Sequence, residues 1–238
     1  MQEPGRGFQL LVIILSRVHQ PGASGFPLRC SCFKLRRVIP DHFADPLELF
    51  AHYLARAQSA ETHDPTAVAL ATATADGVPA VRMVLLKGVD TGGLVFFTNY
   101  KSRKAAHLQE NPHAALCFHW PVLQVQVRAE GRVDRVTAAE SDAYFRTRPH
   151  GSQLAAWASI QSAKLESREL LLARYHELEQ RYAGQPVPRP EFWGGYRLTP
   201  ERMEFWAGEQ YRMHDRLLYQ RVSASPGTVA WQTSRLFP

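Results

Sequence analysis

The chain has 238 residues, 45% of them apolar, a net charge of +6 and an isoelectric point near 9.4, enough for a real hydrophobic core in one large or two small domains. It has no run of 18 apolar residues to span a membrane, and its basic balance favours anionic partners, a need that phosphorylated small molecules meet as well as nucleic acid does. The three cysteines, Cys30, Cys32 and Cys117, match neither a disulfide framework nor a zinc site, so no metal and a reducing compartment, the cytoplasm, are expected.

Residues 1–40 differ in composition from the rest: Glu3 is their only acid, against Arg6, Arg17, Arg29, Lys34, Arg36 and Arg37. An apolar run from Phe8 to Leu15 behind Arg6, followed by Ala23-Ser24-Gly25, has the outline of a secretory or transit leader. A disordered or non-native start is the alternative reading. The segment is set apart from a single folded domain expected over 41–238.

Asp45-Pro46 opens a helix with proline in its first turn, and Leu47, Leu49, Phe50, Tyr53 and Leu54 give it an apolar stripe to about Ser59. Val68 to Ala73 and Val78 to Leu86 read as strands around an Ala75-Asp76-Gly77 turn. The second leads through Asp90-Thr91-Gly92-Gly93 into Leu94 to Phe97, the signature of a β-hairpin. A helix follows at 103–110, then strands at Ala114 to Trp120 and Leu123 to Val133. In the latter, Gln124, Gln126 and Arg128 alternate with Val125, Val127 and Ala129. Thr137 to Glu140 is a capping box opening a helix that carries Tyr144 and Phe145 and stops at Arg148-Pro149. Leu165 to Tyr182 is a charged helix, and Pro186 to Pro190 a stiff connector. Three strands are predicted next, Gly195 to Leu198, Arg202 to Ala207 and Arg216 to Val222, and the chain closes on Val229 to Leu236. Strands at about ten-residue spacing suit a small barrel or sandwich.

The stretch from Arg82 to Leu108 carries the chemistry. Arg82 and Lys87 sit on the first hairpin strand, and Arg103 and Lys104 at the start of a helix for which Ser102 is the N-cap candidate. Cations at a helix N-terminus are unfavourable unless an anion is bound there. A solvated basic turn and a phosphate site are both open readings. Arg212-Met213-His214-Asp215-Arg216 packs two guanidinium groups, an imidazole and a carboxylate into five residues, a way to grip an anionic or phenolic substrate or else an ordinary surface cluster. Trp206 reads as a core aromatic or a ligand contact. No dinucleotide fingerprint, P-loop or nucleophile elbow is present.

Taken together, Arg82-Met-Val-Leu-Leu-Lys87, Phe97-Thr-Asn, Ser102-Arg-Lys104, Tyr144-Phe-x-x-Arg148-Pro, Ser152-Gln, Gln161-Ser162, Phe192-Trp-Gly-Gly, Glu204-Phe-Trp206 and Arg212-Met-His-Asp-Arg216 resemble pyridoxamine 5′-phosphate oxidases from about Pro40 to the C-terminus. The resemblance implies a mainly β fold with helices (α+β), an FMN-binding split β-barrel, assembled as a homodimer with FMN at the subunit interface and residues from about 190 to 238 in dimerisation and substrate binding. It implies oxidation of pyridoxamine 5′-phosphate or pyridoxine 5′-phosphate to pyridoxal 5′-phosphate, with O2 as acceptor, H2O2 released and ammonia lost from the amine. No nucleic acid or membrane partner is implied.

By matching position, the resemblance places Arg82, Met83, Val84, Leu85, Leu86, Lys87, Phe97, Thr98, Ser102, Arg103 and Lys104 along the FMN. Gln126 reaches it from the neighbouring subunit, and Gln161, Ser162, Trp206 and Arg216 complete its site. Lys87, Tyr144, Arg148 and Ser152 would hold the substrate phosphate, and Arg212, Met213 and His214 the pyridine ring, with Arg212 and His214 as the catalytic pair. Three positions depart from the family pattern. Val125 stands where arginine is usual, Tyr211 replaces a small polar residue, and Cys32 falls where an N-terminal tyrosine, paired with an arginine at Arg29, would close over substrate.

Overall fold

The computed structural model describes residues 39–225 and 228–238; the leader, disorder and closure readings for residues 1–38 fall outside them. Helix α1 (Pro46–Ala60) starts as its sequence dictates. Asp45 accepts a hydrogen bond from the Leu47 amide at 2.8 Å, Pro46 occupies the first turn, and Leu49, Phe50, Tyr53 and Ala57 face the core. Ile39, just ahead of it, is already fully buried.

Strands β1 (Ala67–Ala73), β2 (Pro79–Asp90), β3 (Gly93–Asn99), β4 (His113–Trp120), β5 (Val125–Arg135) and β6 (Trp193–Ala207) pair antiparallel in the order β3-β2-β1-β4-β5-β6. The pairing of β3 with β6 closes them into a barrel. Closure leaves no free edge among these six strands. Strands β7 (Asp215–Ser225) and β8 (Thr228–Arg235) extend the sheet beyond β6. Leu70, Leu94, Phe96, Phe118, Val127, Leu198, Met203 and Phe205 fill the interior with the inward face of α1. The expected alternation on β5 holds: Val125, Val127 and Ala129 are buried, while Gln126 and Arg128 lie half-exposed on the outer face.

The hairpin forms where the glycines permit it. Asp90 Oδ1 accepts from the Gly92 amide at 2.8 Å, and Gly93 takes φ +135° with its α-carbon so close to Leu198 that a β-carbon would lie 2.0 Å from that carbonyl oxygen.

Two of the predicted strands, Gly195 to Leu198 and Arg202 to Ala207, are one strand. Strand β6 runs on through Pro200 because the register against β5 slips at Glu130 and Gly131, leaving Glu201 unpaired in a bulge. Helix α2 (Arg103–Glu110) follows β3, and α3 (Ala138–Thr147), α4 (His150–Ala158) and α5 (Arg168–Arg181) form a layer between β5 and β6 in the chain. The capping box of α3 is complete: Thr137 accepts from the Glu140 amide, and the Glu140 carboxylate accepts from the Thr137 amide at 2.8 Å. Phe145, Leu154, Val187 and Trp193 make a second small core beneath this layer.

Candidate active site

A cavity of about 520 Å³ opens where β2, β3 and the α3–α4 corner meet. Its wall carries Arg82, Met83, Val84, Leu85 and Lys87 from β2, Phe97 and Thr98 from β3, Lys104 from α2, Tyr144 and Arg148 from α3 and its cap, Ser152 from α4, and Gln161. Thr147, Pro149 and Trp193 complete it. Leu86 is absent from the wall: it is buried in the barrel core.

Polar groups on this wall are fixed before any ligand arrives. Lys104 is buried, and its Nζ donates to Gln161 Oε1 (2.7 Å), Thr98 Oγ1 (3.0 Å) and Ser102 Oγ (3.2 Å). All three of its N–H groups are thus spent on neutral oxygens, so it offers a ligand its field more than a free donor. Because Lys104 only donates, it orients the Gln161 amide with its oxygen inward. Ser102 occupies the N-cap position of α2, but its hydroxyl makes no capping bond and instead accepts from Lys104 behind the wall. Arg82 Nη1 is anchored on Thr72 Oγ1 (2.7 Å) and on the carbonyls of Ala80 (3.1 Å) and Leu70 (3.2 Å). Arg103 is exposed beside the cavity, close enough to Arg82 for the two charges to repel.

Burial, reinforced by the nearby Arg82 charge, pushes Lys104 from the ordinary lysine range down to about 8. Burial also lowers Arg82 and Arg148. Arg148 stacks on Trp193 at 4.8 Å, and its Nη1 is buried with no hydrogen-bond partner. Among the described residues, none of Arg82, Arg103, Lys104 and Arg148 forms an ion pair with a carboxylate. Tyr144 lies in a ring stack with Phe97 (4.0 Å) and Trp193, and Gly195 leaves room for the Phe97 ring, to which a β-carbon there would come within 2.8 Å.

The remaining expected site residues gather elsewhere. Gln126 on β5 pairs with Trp206 on β6, and Trp206 with Arg216 on β7. Trp206 and His214, 4.5 Å apart, line a second cavity of about 710 Å³ with His119, Gln124, Gly208, Glu209 and Gln210. Trp206 is therefore half-buried in a cavity wall and not a core aromatic. Thr98 faces Gly194 on β6, so Trp206 lies twelve residues farther along the strand, about 40 Å of contour at 3.3 Å per residue. The two cavity walls share no residue.

His214 Nδ1 accepts from the Glu209 amide at 3.2 Å, so the neutral ring carries its proton on Nε2. Tyr211 and Arg212 take φ +55° and +63° in a 3-10 turn (Gln210–Arg212), left-handed conformations costly for non-glycine residues. Both are exposed, as is Met213. Ser162, also left-handed at φ +71°, is exposed next to Gln161 but off the first wall.

Sequence reasoning gave no role to Trp193 or to Glu204, though both stand in quoted motifs. Glu204 is a buried carboxylate gripped by Arg128 and by Arg216 Nε at 2.9 Å, with Arg202 at 4.0 Å. Burial opposes its ionisation, yet the two bonded arginines carry its pKa below the usual range. Its two bonded partners come from the strands on either side, Arg128 from β5 and Arg216 from β7, a proximity that no local pattern records.

The closed six-strand barrel with flanking helices is the split barrel of FMN-binding proteins, and the fold recurs with a TM-score of 0.66 over 82% of this chain in a pyridoxamine 5′-phosphate oxidase-related, FMN binding protein of Nostoc punctiforme at 19% identity (99% of that chain). Residues 54–182 match the pyridoxamine 5′-phosphate oxidase family, and residues 193–238 match the pyridoxine 5′-phosphate oxidase C-terminal dimerisation region. The pyridoxine/pyridoxamine 5′-phosphate oxidase of Myxococcus xanthus is 51% identical over 87% of this chain and 97% of its own length. That of Rubrobacter xylanophilus is 54% identical over 82% of this chain and 87% of its own. PhzG from Burkholderia lata, solved in complex with tetrahydrophenazine-1-carboxylic acid, superimposes with a TM-score of 0.78 at 35% identity over 83% of this chain and 95% of that one. The chain belongs to the pyridoxine/pyridoxamine 5′-phosphate oxidase family, a family of oxidoreductases.

Proposed function

We propose that the chain is a cytoplasmic, homodimeric, FMN-dependent oxidase that converts pyridoxamine 5′-phosphate or pyridoxine 5′-phosphate to pyridoxal 5′-phosphate, with O2 as acceptor and H2O2 as by-product, in vitamin B6 synthesis and salvage. The observation that carries this reading is the first cavity itself. Three of its cations, Arg82, Lys104 and Arg148, have lowered pKa values because of burial, no carboxylate pairs with them among the described residues, and one buried guanidinium nitrogen has no partner. Such an arrangement favours an anion that completes it, and the residues present fit a phosphate ester.

Arg82, Lys104 and Arg103 would take the FMN phosphate, with Ser102 holding Lys104 in place. Backbone and side chains of Met83 to Lys87, with Phe97, Thr98, Gln161 and Ser162, would line the flavin. Lys87, Tyr144, Arg148 and Ser152 would take the substrate phosphate at the helical end of the same cavity. When bound, the flavin supplies the two-electron redox chemistry and the reaction with O2. The chain's own part is to bind, orient and exclude water. The Nε2–H of neutral His214 is a donor available to the substrate's ring substituents. Arg212 supplies a positive charge beside it.

Gln126, Trp206 and Arg216 lie at or beside the far end of β6 from the first wall, with Arg212, Met213 and His214 just beyond it, so on this reading a second copy brings them to the same flavin. The match of residues 193–238 to a dimerisation region supports that assembly. Met83 and Leu85, 64% and 42% exposed on β2, give the copies an apolar strip to bury.

The test is spectroscopic. The purified protein should be yellow, and anaerobic pyridoxamine 5′-phosphate or pyridoxine 5′-phosphate should bleach it, with colour restored by air. A flavoprotein bleached by tetrahydrophenazine-1-carboxylic acid and by neither vitamer phosphate would overturn the substrate assignment.

A further inference from the structure

Behind the cationic corner, outside both cavities, lies a buried histidine to which neither motif nor resemblance gave a role. His107, on α2, is 5% exposed. Its Nδ1 lies 3.2 Å from Thr72 Oγ1 on β1, the same hydroxyl that accepts from Arg82 Nη1 at 2.7 Å. Its Nε2 accepts from Arg103 Nε at 3.4 Å, one helical turn back along α2.

Donor accounting fixes the ring's protonation. Arg103 can only donate, so Nε2 must carry a lone pair. A neutral imidazole then has its proton on Nδ1, which donates to Thr72. An imidazolium, or the opposite tautomer, would set an N–H against the Arg103 N–H and break the link. One neutral ring thus joins, through Thr72 on one side and directly on the other, the two arginines that flank the corner.

We infer that His107 is a positioning residue for phosphate recognition, which as the neutral Nδ1–H tautomer holds Arg103 in register with Arg82 at the start of α2. This rests on the phosphate reading of the corner given above. The choice of residue follows from charge. Arg103 stands at a helix N-terminus, where a cation is disfavoured, and beside Arg82, which repels it. A carboxylate could hold Arg103 as well but would cancel the positive field that a phosphate needs. A neutral acceptor holds it and leaves the field intact, and its engagement of Nε leaves the terminal nitrogens of Arg103 for a ligand.

The test separates phosphate positioning from mere structure by comparing two flavins that differ only in the phosphate. Apoprotein of the full chain is titrated with FMN and with riboflavin, followed by flavin fluorescence. His107→Leu should weaken FMN binding by about tenfold or more, the scale of a hydrogen bond to a charged group, and leave riboflavin binding unchanged. His107→Gln, whose amide offers a donor and an acceptor at nearly the ring's spacing, should restore FMN binding to within about threefold of the parent, on the premise that one such bond is regained. Unchanged FMN affinity in His107→Leu, equal loss of both flavins, or failure of glutamine to rescue would each overturn the inference. A parent protein that does not prefer FMN to riboflavin would overturn the phosphate reading first and this inference with it. Should the leucine variant not fold, nitrogen-15 NMR of the histidine-labelled parent decides: a proton on Nδ1 of His107 is expected, and a proton on Nε2 overturns the assignment.

Discussion

The two halves of the proposed site are built on opposite plans. The corner between β2, β3 and α2 is rigid and electrostatically unbalanced: Lys104 has every donor engaged, Arg82 rests on three oxygens, and neither has a carboxylate partner among the described residues. The face around Trp206 has carboxylates among its cations and is more open to solvent. Arg216 pairs with Glu204, Asp215 pairs with Arg235, and the Tyr211–Arg212 turn carries its strain in solvent, with Tyr211 84% exposed. An unbalanced, prebuilt corner is suited to retaining a resident anion. A strained, exposed turn is suited to something that comes and goes, which agrees with the proposal that Arg212 and His214 face the substrate.

The comparison breaks most directly at the strained turn. Arg212→Ala and His214→Ala should each lower kcat/KM by about 10²-fold, the scale on which misplaced reactants lose rate, while flavin content after dialysis stays near that of the parent. Equal loss of flavin in those variants would erase the distinction between the halves.

Next in size is the corner. Arg103→Ala and Lys104→Met should raise the FMN dissociation constant by about ten- to a hundredfold, as expected for one charge-assisted contact. Flavin retained in full by both variants would show that the corner does not hold the phosphate.

A smaller effect follows from the buried lysine. With its folded pKa at about 8 and its unfolded value near 10.5, Lys104 is neutral in the folded apoprotein but protonated in the unfolded chain between those values. The unfolded state there binds more protons, so this group makes the apoprotein more stable as pH rises from 8 toward 10.5. A phosphate ester favours the protonated form, so FMN affinity should fall above pH 8, by up to about tenfold per unit for one linked proton. Fluorescence titrations from pH 7 to 10 should show that slope in the parent and a flatter profile in Lys104→Met.

The smallest change should touch neither half. Thr137→Ala removes the cap of α3 and should cost about 1 kcal/mol, a fall of about 2–4 °C in melting temperature for a chain of this size, with flavin affinity unaltered. A loss of flavin in this variant would mean that α3 and the corner are less independent than their separate hydrogen bonds indicate.

Local chemistry made much of this legible in advance. The Asp90 to Gly93 turn, the Thr137–Glu140 box and the Asp45-Pro46 start each act within four residues, and each forms as its sequence indicates. The clustering of Arg82, Lys87, Arg103 and Lys104 was likewise visible, because a hairpin and the helix behind it are neighbours in the chain. The division of β6 into two strands misled because its continuity through Pro200 depends on a register slip against β5, a partner some seventy residues away. Ser102 misled more mildly: its hydroxyl had two uses, and Lys104 took it.

The amino-acid sequence by itself determined the strands, the caps, the cationic corner and, through its ordered motifs, the family. Only the tertiary structure decided that β6 would carry one set of site residues to its far end, away from the other. It alone showed that Glu204 would gather arginines from three strands and that His107 would sit buried between Thr72 and Arg103. Those outcomes depend on strand register and on counting donors against acceptors across the barrel, and such pairings are long-range, whereas periodicity and capping act over a few residues.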